Sequence, residues 1–153
     1  MLETPHVIVG AAIAIKVVNP ALSLPLAFAS HLLLEKVPHW NPHINTEKNT
    51  LGKVSSKSVK IIIFDVVLAL ISGTLIASRY LPDTRRFAVI MAACFFAVLP
   101  DLIEAPYFFL NAKSLFFKKW IKFQKSLQAD AEVFPGLMTQ AATILAALWW
   151  IKI

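Results

Sequence analysis

Apolar residues fall in long blocks along this chain, separated by short polar stretches, rather than alternating with polar ones as a half-buried strand requires. Five blocks read as helices in lipid, at 5–18, 21–37, 59–79, 84–105 and 133–153. Their ends carry helix signals. Thr4-Pro5 offers a hydroxyl cap followed by proline at the first helical position, and Asn19-Pro20 stops the first block. Pro38 closes the second, while Pro100 and Pro106 kink or end the fourth. The first two helices are short. At about 1.5 Å per residue they cover roughly 20–25 Å of a hydrocarbon core of about 30 Å, so they require thinned lipid or neighbours. The stretch WNPHINTEKNTLGKVSSKS has the composition of an irregular loop. SLFFKKWIKFQKSL, at 114–127, mixes aromatics with lysines as an amphipathic helix lying in the membrane interface does. Trp149, Trp150 and Lys152 anchor the last block.

Composition turns this pattern into a class. Of 153 residues, 58% are hydrophobic and 16% charged, beyond the roughly 45–50% apolar share of soluble domains. The expectation is an all-α, polytopic membrane helical bundle of one domain, with about five membrane helices plus the interfacial one. The opening MLETPH has an acid and no basic residue, so the first block lacks the positive start of a secretory signal and is expected to stay in the mature protein. Cys94 is the lone cysteine, which excludes a disulfide within the chain and a cysteine-built metal site. The net charge of +6 does not point to nucleic acid, because the basic residues flank oily blocks instead of alternating with aromatics on a polar surface. With five alternating crossings, ten lysines fall on one face and five basic residues on the other. That asymmetry makes the lysine-rich face cytoplasmic, in the inner membrane, with membrane lipid as the first partner.

The titratable groups gather on that same face. His6 begins the first helix; His31 and Glu35 lie near the end of the second, with His39 and His43 just beyond. Asp65 is placed about one turn inside the third, and Asp101 and Glu104 near the returning end of the fourth. Glu35 is four residues from His31 and Glu104 three from Asp101, so each pair shares a helical face. Two helix pairs can therefore aim at one pocket. Imidazole nitrogen and carboxylate oxygen suit zinc foremost, with manganese or iron as alternatives. A divalent cation also explains carboxylates that stay ionised beside lipid. An ionisable residue within a span, as Asp65 is, is a functional candidate by default. His39 and His43 have a plainer use, capping the helix and setting Trp40 at the interface. FASHLLLEKVPHW and FAVLPDLIEAPYF echo each other, as a duplication or as two similar helix ends at one interface.

TPHVIVGAA, SHLLLEKVPHW and LPDLIEAP together resemble the small bacterial and archaeal inner-membrane proteins grouped as membrane-bound metal-dependent hydrolases, distantly similar to zinc-dependent phospholipase C. The resemblance covers residues 4 to 110 or so. It implies an all-helical metal site from His6, His31, Glu35, Asp65 and Asp101, with His39 alongside and Glu104 beside it. Such proteins usually have aspartate where Glu35 stands, and many carry further histidines in the C-terminal half, where FQKSLQADAEVF has none. The chemistry implied is hydrolysis by metal-activated water, with Glu35 or Glu104 as general base. A pocket lined by Trp40, Phe108 and Phe109 would suit an amphiphilic ester such as a phospholipid or other phosphodiester. Three other classes compete. The polar cluster could be structural in a non-catalytic scaffold or accessory subunit that engages lipid, a second copy or a partner protein. Asp65 with His31 could relay ions, although the far half of every helix lacks polar residues. His6 and His31 could hold a b-type haem.

Overall fold

The computed structural model describes residues 1–152; the expected end of the last span, Ile153, lies outside the described residues. Seven helices are present among them: α1 (Glu3–Lys16), α2 (Pro20–Leu34), α3 (Ile44–Leu51), α4 (Ser56–Ser78), α5 (Thr84–Phe109), α6 (Leu115–Leu127) and α7 (Val133–Ile151). No strand occurs among the described residues, only a one-residue parallel pairing of His39 with Asp130.

Three helices, not five, are long and apolar enough to cross a bilayer: α4, α5 and α7. At 14 and 15 residues, α1 and α2 reach only about 21 and 23 Å. α1 is instead the hub, packed against α5, α4, α2 and α7. Ten of its 14 residues are buried, which is the fate of a helix apolar on all sides. Small side chains permit the close approach. Ala11, Ala12 and Ala14 of α1 meet a core containing Ala93, Ala97 and Cys94 of α5. A Cβ placed on Gly10 would stand 2.7 Å from Ala97 Cβ and 2.8 Å from the Ala93 carbonyl oxygen. The large side chains point the other way. Ile63, Phe64, Leu70 and Leu75 on α4, and Phe134, Leu145 and Trp149 on α7, are exposed, the surface a bilayer would cover.

Several element ends differ from the sequence expectation. α1 starts at Glu3, and its cap residue Leu2 gives no side-chain bond; Thr4 lies inside the helix and is not its cap. Asn19 caps α2, accepting from Ala21 N–H at 3.0 Å, with Pro20 at the first helical position. The stop expected for one helix is thus the start of the next. α5 runs through Pro100 and Pro106 to Phe109. The expected loop contains α3, a polar helix ended by left-handed Gly52 (φ 71°). Glu47 of α3 accepts from Ser55 N–H (2.8 Å), Ser55 Oγ (2.9 Å) and Ser58 Oγ (2.7 Å), tying it to the start of α4. α6 is strongly amphipathic. Ile121 and Gln124 face inward, while Leu115, Phe116 and Phe123 are exposed among lysines.

Candidate functional site

The start of α1 is held from outside the helix. Asp65 on α4 accepts from Glu3 N–H (2.5 Å), Thr4 N–H (3.3 Å) and Thr4 Oγ1 (2.7 Å). A helix start leaves its first N–H groups without partners, and here a carboxylate of a neighbouring helix supplies the acceptor. Leu2 N–H finds Gln140 Oε1 on α7 at 2.8 Å. These bonds fix the register of α1 and carry His6, on its first turns, into the interior with no exposed surface.

His31, also fully buried, projects from α2 toward α5. Its Nδ1 lies 2.8 Å from the Ala97 carbonyl oxygen. A carbonyl only accepts, so Nδ1 carries a proton; in the neutral ring Nε2 then has the lone pair. His39 repeats the arrangement, with Nδ1 2.7 Å from the Val37 carbonyl. Burial lowers the His39 pKa from the ordinary histidine range. His39 itself is fixed by backbone pairing, its N–H donating to Ala129 O at 3.0 Å and its carbonyl accepting from Ala131 N–H at 2.9 Å. The His6 and His31 rings stack, with centroids 3.9 Å apart.

Carboxylates face these rings. His31 Nε2 stands 3.4 Å from Asp101 Oδ1, His6 Nε2 3.4 Å from Glu35 Oε1, and His39 Nε2 3.5 Å from Glu35 Oε2. None of the three is a hydrogen bond. Both nitrogens of His6 and the Nε2 atoms of His31 and His39 are buried without a hydrogen-bond partner. The Met1 nitrogen contacts Glu35 Oε1 as well. Ligand atoms of His6, His31 and Asp101 all lie within 4.8 Å of one another.

A cavity of about 320 Å³ opens onto this cluster. Glu3, Glu35, Asp65, Asp101 and Glu104 line it, together with Leu102, Phe108 and Phe109 of α5. Gln124 of α6 closes one side, its Nε2 donating to Glu104 Oε1 (2.9 Å), Asp101 Oδ1 (3.1 Å) and Pro100 O (3.3 Å).

Of the residues expected from sequence, His6, His31 and Asp101 come together, with Glu35 and His39 adjoining and Glu104 next to Asp101. Asp65 lines the same cavity, but both its oxygens serve α1, and it sits nine residues into α4 instead of one turn. His43 is exposed at the cavity wall. Trp40 does not line the cavity; its backbone packs on Gly136 and accepts from Gln140 Nε2 at 2.8 Å. Two residues were not foreseen. Glu3 stands three positions before His6 and so shares its helical face. Gln124 is the amide three positions after Ile121, on the buried stripe of α6. The chain matches no known family model, no curated protein and no solved structure.

Proposed function

We propose that this protein is a membrane-embedded metal-dependent hydrolase acting on an amphiphilic ester, a phospholipid or another phosphodiester. The observation that carries the proposal is the spacing between unpartnered imidazoles and carboxylates. A hydrogen bond between such groups closes to about 2.7–3.0 Å. Two ligands on one tetrahedral zinc, each about 2.0–2.1 Å from the ion, lie about 3.3–3.4 Å apart. His31 with Asp101 stands at 3.4 Å, and the ligand atoms of His6, His31 and Asp101 lie within 4.8 Å of one another. The donor set of imidazole nitrogen and carboxylate oxygen suits zinc, manganese or iron. His6, His31 and Asp101 would hold the ion, and Glu35 adjoins them. Bound there, a zinc ion would lower the pKa of a coordinated water toward about 7.

The chain's own groups have distinct parts in this reading. Glu104 faces the cavity and receives one bond from Gln124, which leaves it oxygen lone pairs to take a proton as general base. Glu35 is engaged by His6, His39 and the Met1 nitrogen, which suits orientation of the rings better than proton transfer. Exposed Leu102 and Phe109 border the cavity on the face where α4 and α5 would meet lipid. An acyl chain in the bilayer could therefore lie beside a headgroup at the carboxylates. The similarity of TPHVIVGAA, SHLLLEKVPHW and LPDLIEAP to membrane-bound metal-dependent hydrolases supports the same chemistry, and the excess of lysines around the cluster favours the cytoplasmic face.

A structural role for the cluster is the second reading, favoured by the engagement of Asp65 and Glu35 in internal contacts. Hydrolysis of phosphodiester lipids by protein reconstituted with zinc or manganese separates the two. The enzyme reading expects turnover that falls by about 10²-fold or more in Glu104→Gln and disappears in Asp101→Asn. Equal, background-level release of product by all three proteins would leave only the structural role.

A further inference from the structure

Beside the acidic cavity lies a second groove of opposite character, about 440 Å³, between α3, α5 and α6. Asn45, Tyr107, Lys118, Lys122 and Lys125 line it, and no carboxylate does. The two share Asn45, Ile121 and Lys125. Lys125 is already paired with Asp130 at 2.7 Å. Lys118 and Lys122 have no carboxylate within 4.0 Å among the described residues, so their charge is available to a ligand. The groove thus offers two free ammonium groups, a phenol hydroxyl and an amide, donors that match phosphate oxygens.

We infer that this groove binds the phosphate headgroup of an anionic phospholipid. The occupant follows from what surrounds the donors. Leu115, Phe116 and Phe123 of the same helix are exposed next to the lysines, an apolar surface that acyl chains and glycerol would cover. Trp120 of α6 donates from Nε1 to Pro100 O at 3.0 Å, which pins the helix to α5. A zwitterionic headgroup would bring its own ammonium against Lys118 and Lys122; an anionic one does not. The site is separate from the metal cluster, and its ligand need not be the ligand hydrolysed there.

Brominated lipids provide the test. Protein stripped of metal by chelator is reconstituted in phosphatidylcholine bilayers containing a minor fraction of brominated phosphatidylglycerol or brominated phosphatidylcholine. Quenching of Trp120 is taken as the difference between the parent and Trp120→Phe. The expected result is a preference for the anionic lipid of about tenfold, abolished in Lys118→Gln/Lys122→Gln and kept in Lys57→Gln/Lys60→Gln. Equal quenching by the two lipids overturns the inference, as does a preference that survives loss of Lys118 and Lys122. Relief of quenching by millimolar inorganic phosphate would reassign the groove to a soluble phosphate and overturn the lipid. Because the protein is metal-free, a failed hydrolase assay and a failed quenching assay are separate results.

Discussion

Replacing Asp65 by alanine removes an acceptor from three donors at once: Glu3 N–H, Thr4 N–H and Thr4 Oγ1. Thr4 is 5% exposed, so water cannot replace the lost carboxylate, and the hydroxyl keeps only its long 3.3 Å bond to the residue 65 carbonyl. A hydrogen bond to a charged acceptor contributes about 1.5–3 kcal/mol, and a donor left buried and unpaired costs about 1–3 kcal/mol. With the long bond at 3.3 Å discounted, the two short ones set a loss of about 3–5 kcal/mol. In a chain of this size that lowers the melting temperature by roughly 10 °C. Asp65→Asn keeps one carbonyl acceptor and should lose less than half as much. Thermal unfolding of the detergent-solubilised protein, followed by circular dichroism, gives both values. Thr4→Val should cost clearly less on top of Asp65→Ala than alone, since the short carboxylate bond is already gone and only the 3.3 Å bond to the residue 65 carbonyl is left to lose. The capping role fails if Asp65→Ala melts with the parent, or if the double variant is additive. Loss of bound metal at an unchanged melting temperature would make Asp65 a ligand instead.

Gly10→Val drives branched atoms into Ala97 and the Ala93 backbone, which cannot yield as a flexible side chain would; α1 and α5 should separate, with destabilisation of about 3 kcal/mol or failure to assemble. Gly52→Ala meets no atom within 4 Å but must adopt φ 71°, so its cost should stay near 1 kcal/mol in the same melting assay. The Glu47 carboxylate is held below its ordinary range, first by Ser55 N–H and then by the Ser58 hydroxyl. The unfolded segment therefore binds its proton at higher pH. Its stabilisation is present above about pH 4.3 and is lost as pH falls through the lowered folded value. Proteolysis within 44–58 should accelerate over that acid range in the parent, and Glu47→Gln should remove the pH dependence.

The apolar blocks made the all-helical class legible, because burial from water along whole segments needs no knowledge of neighbours. The number of crossings was less accessible. The shortness of the first two blocks was visible, but not that α1 would be enclosed by four other helices. α3 was missed because its eight residues bury no apolar side chain; Glu47 holds it through bonds to Ser55 and Ser58 that the sequence does not display. At the site, intrahelical spacing paired His31 with Glu35 and Asp101 with Glu104. The pairings actually formed run between helices, His31 with Asp101 and His6 with Glu35. Asp65 shows the limit most plainly. Its residue type announced a role within the membrane, yet its engagement with the start of α1 depends on two helices meeting at one depth.

Metal content bears most directly on a cation bridging His6, His31 and Asp101. Protein purified in detergent, exposed to zinc and manganese and washed free of excess, should retain close to one equivalent or more of divalent ion. His31→Ala and Asp101→Asn should each lose that ion while keeping parental helix content. A correctly folded parent that retains no more ion than those two variants would contradict the metal centre and return the imidazoles and carboxylates to a purely structural role.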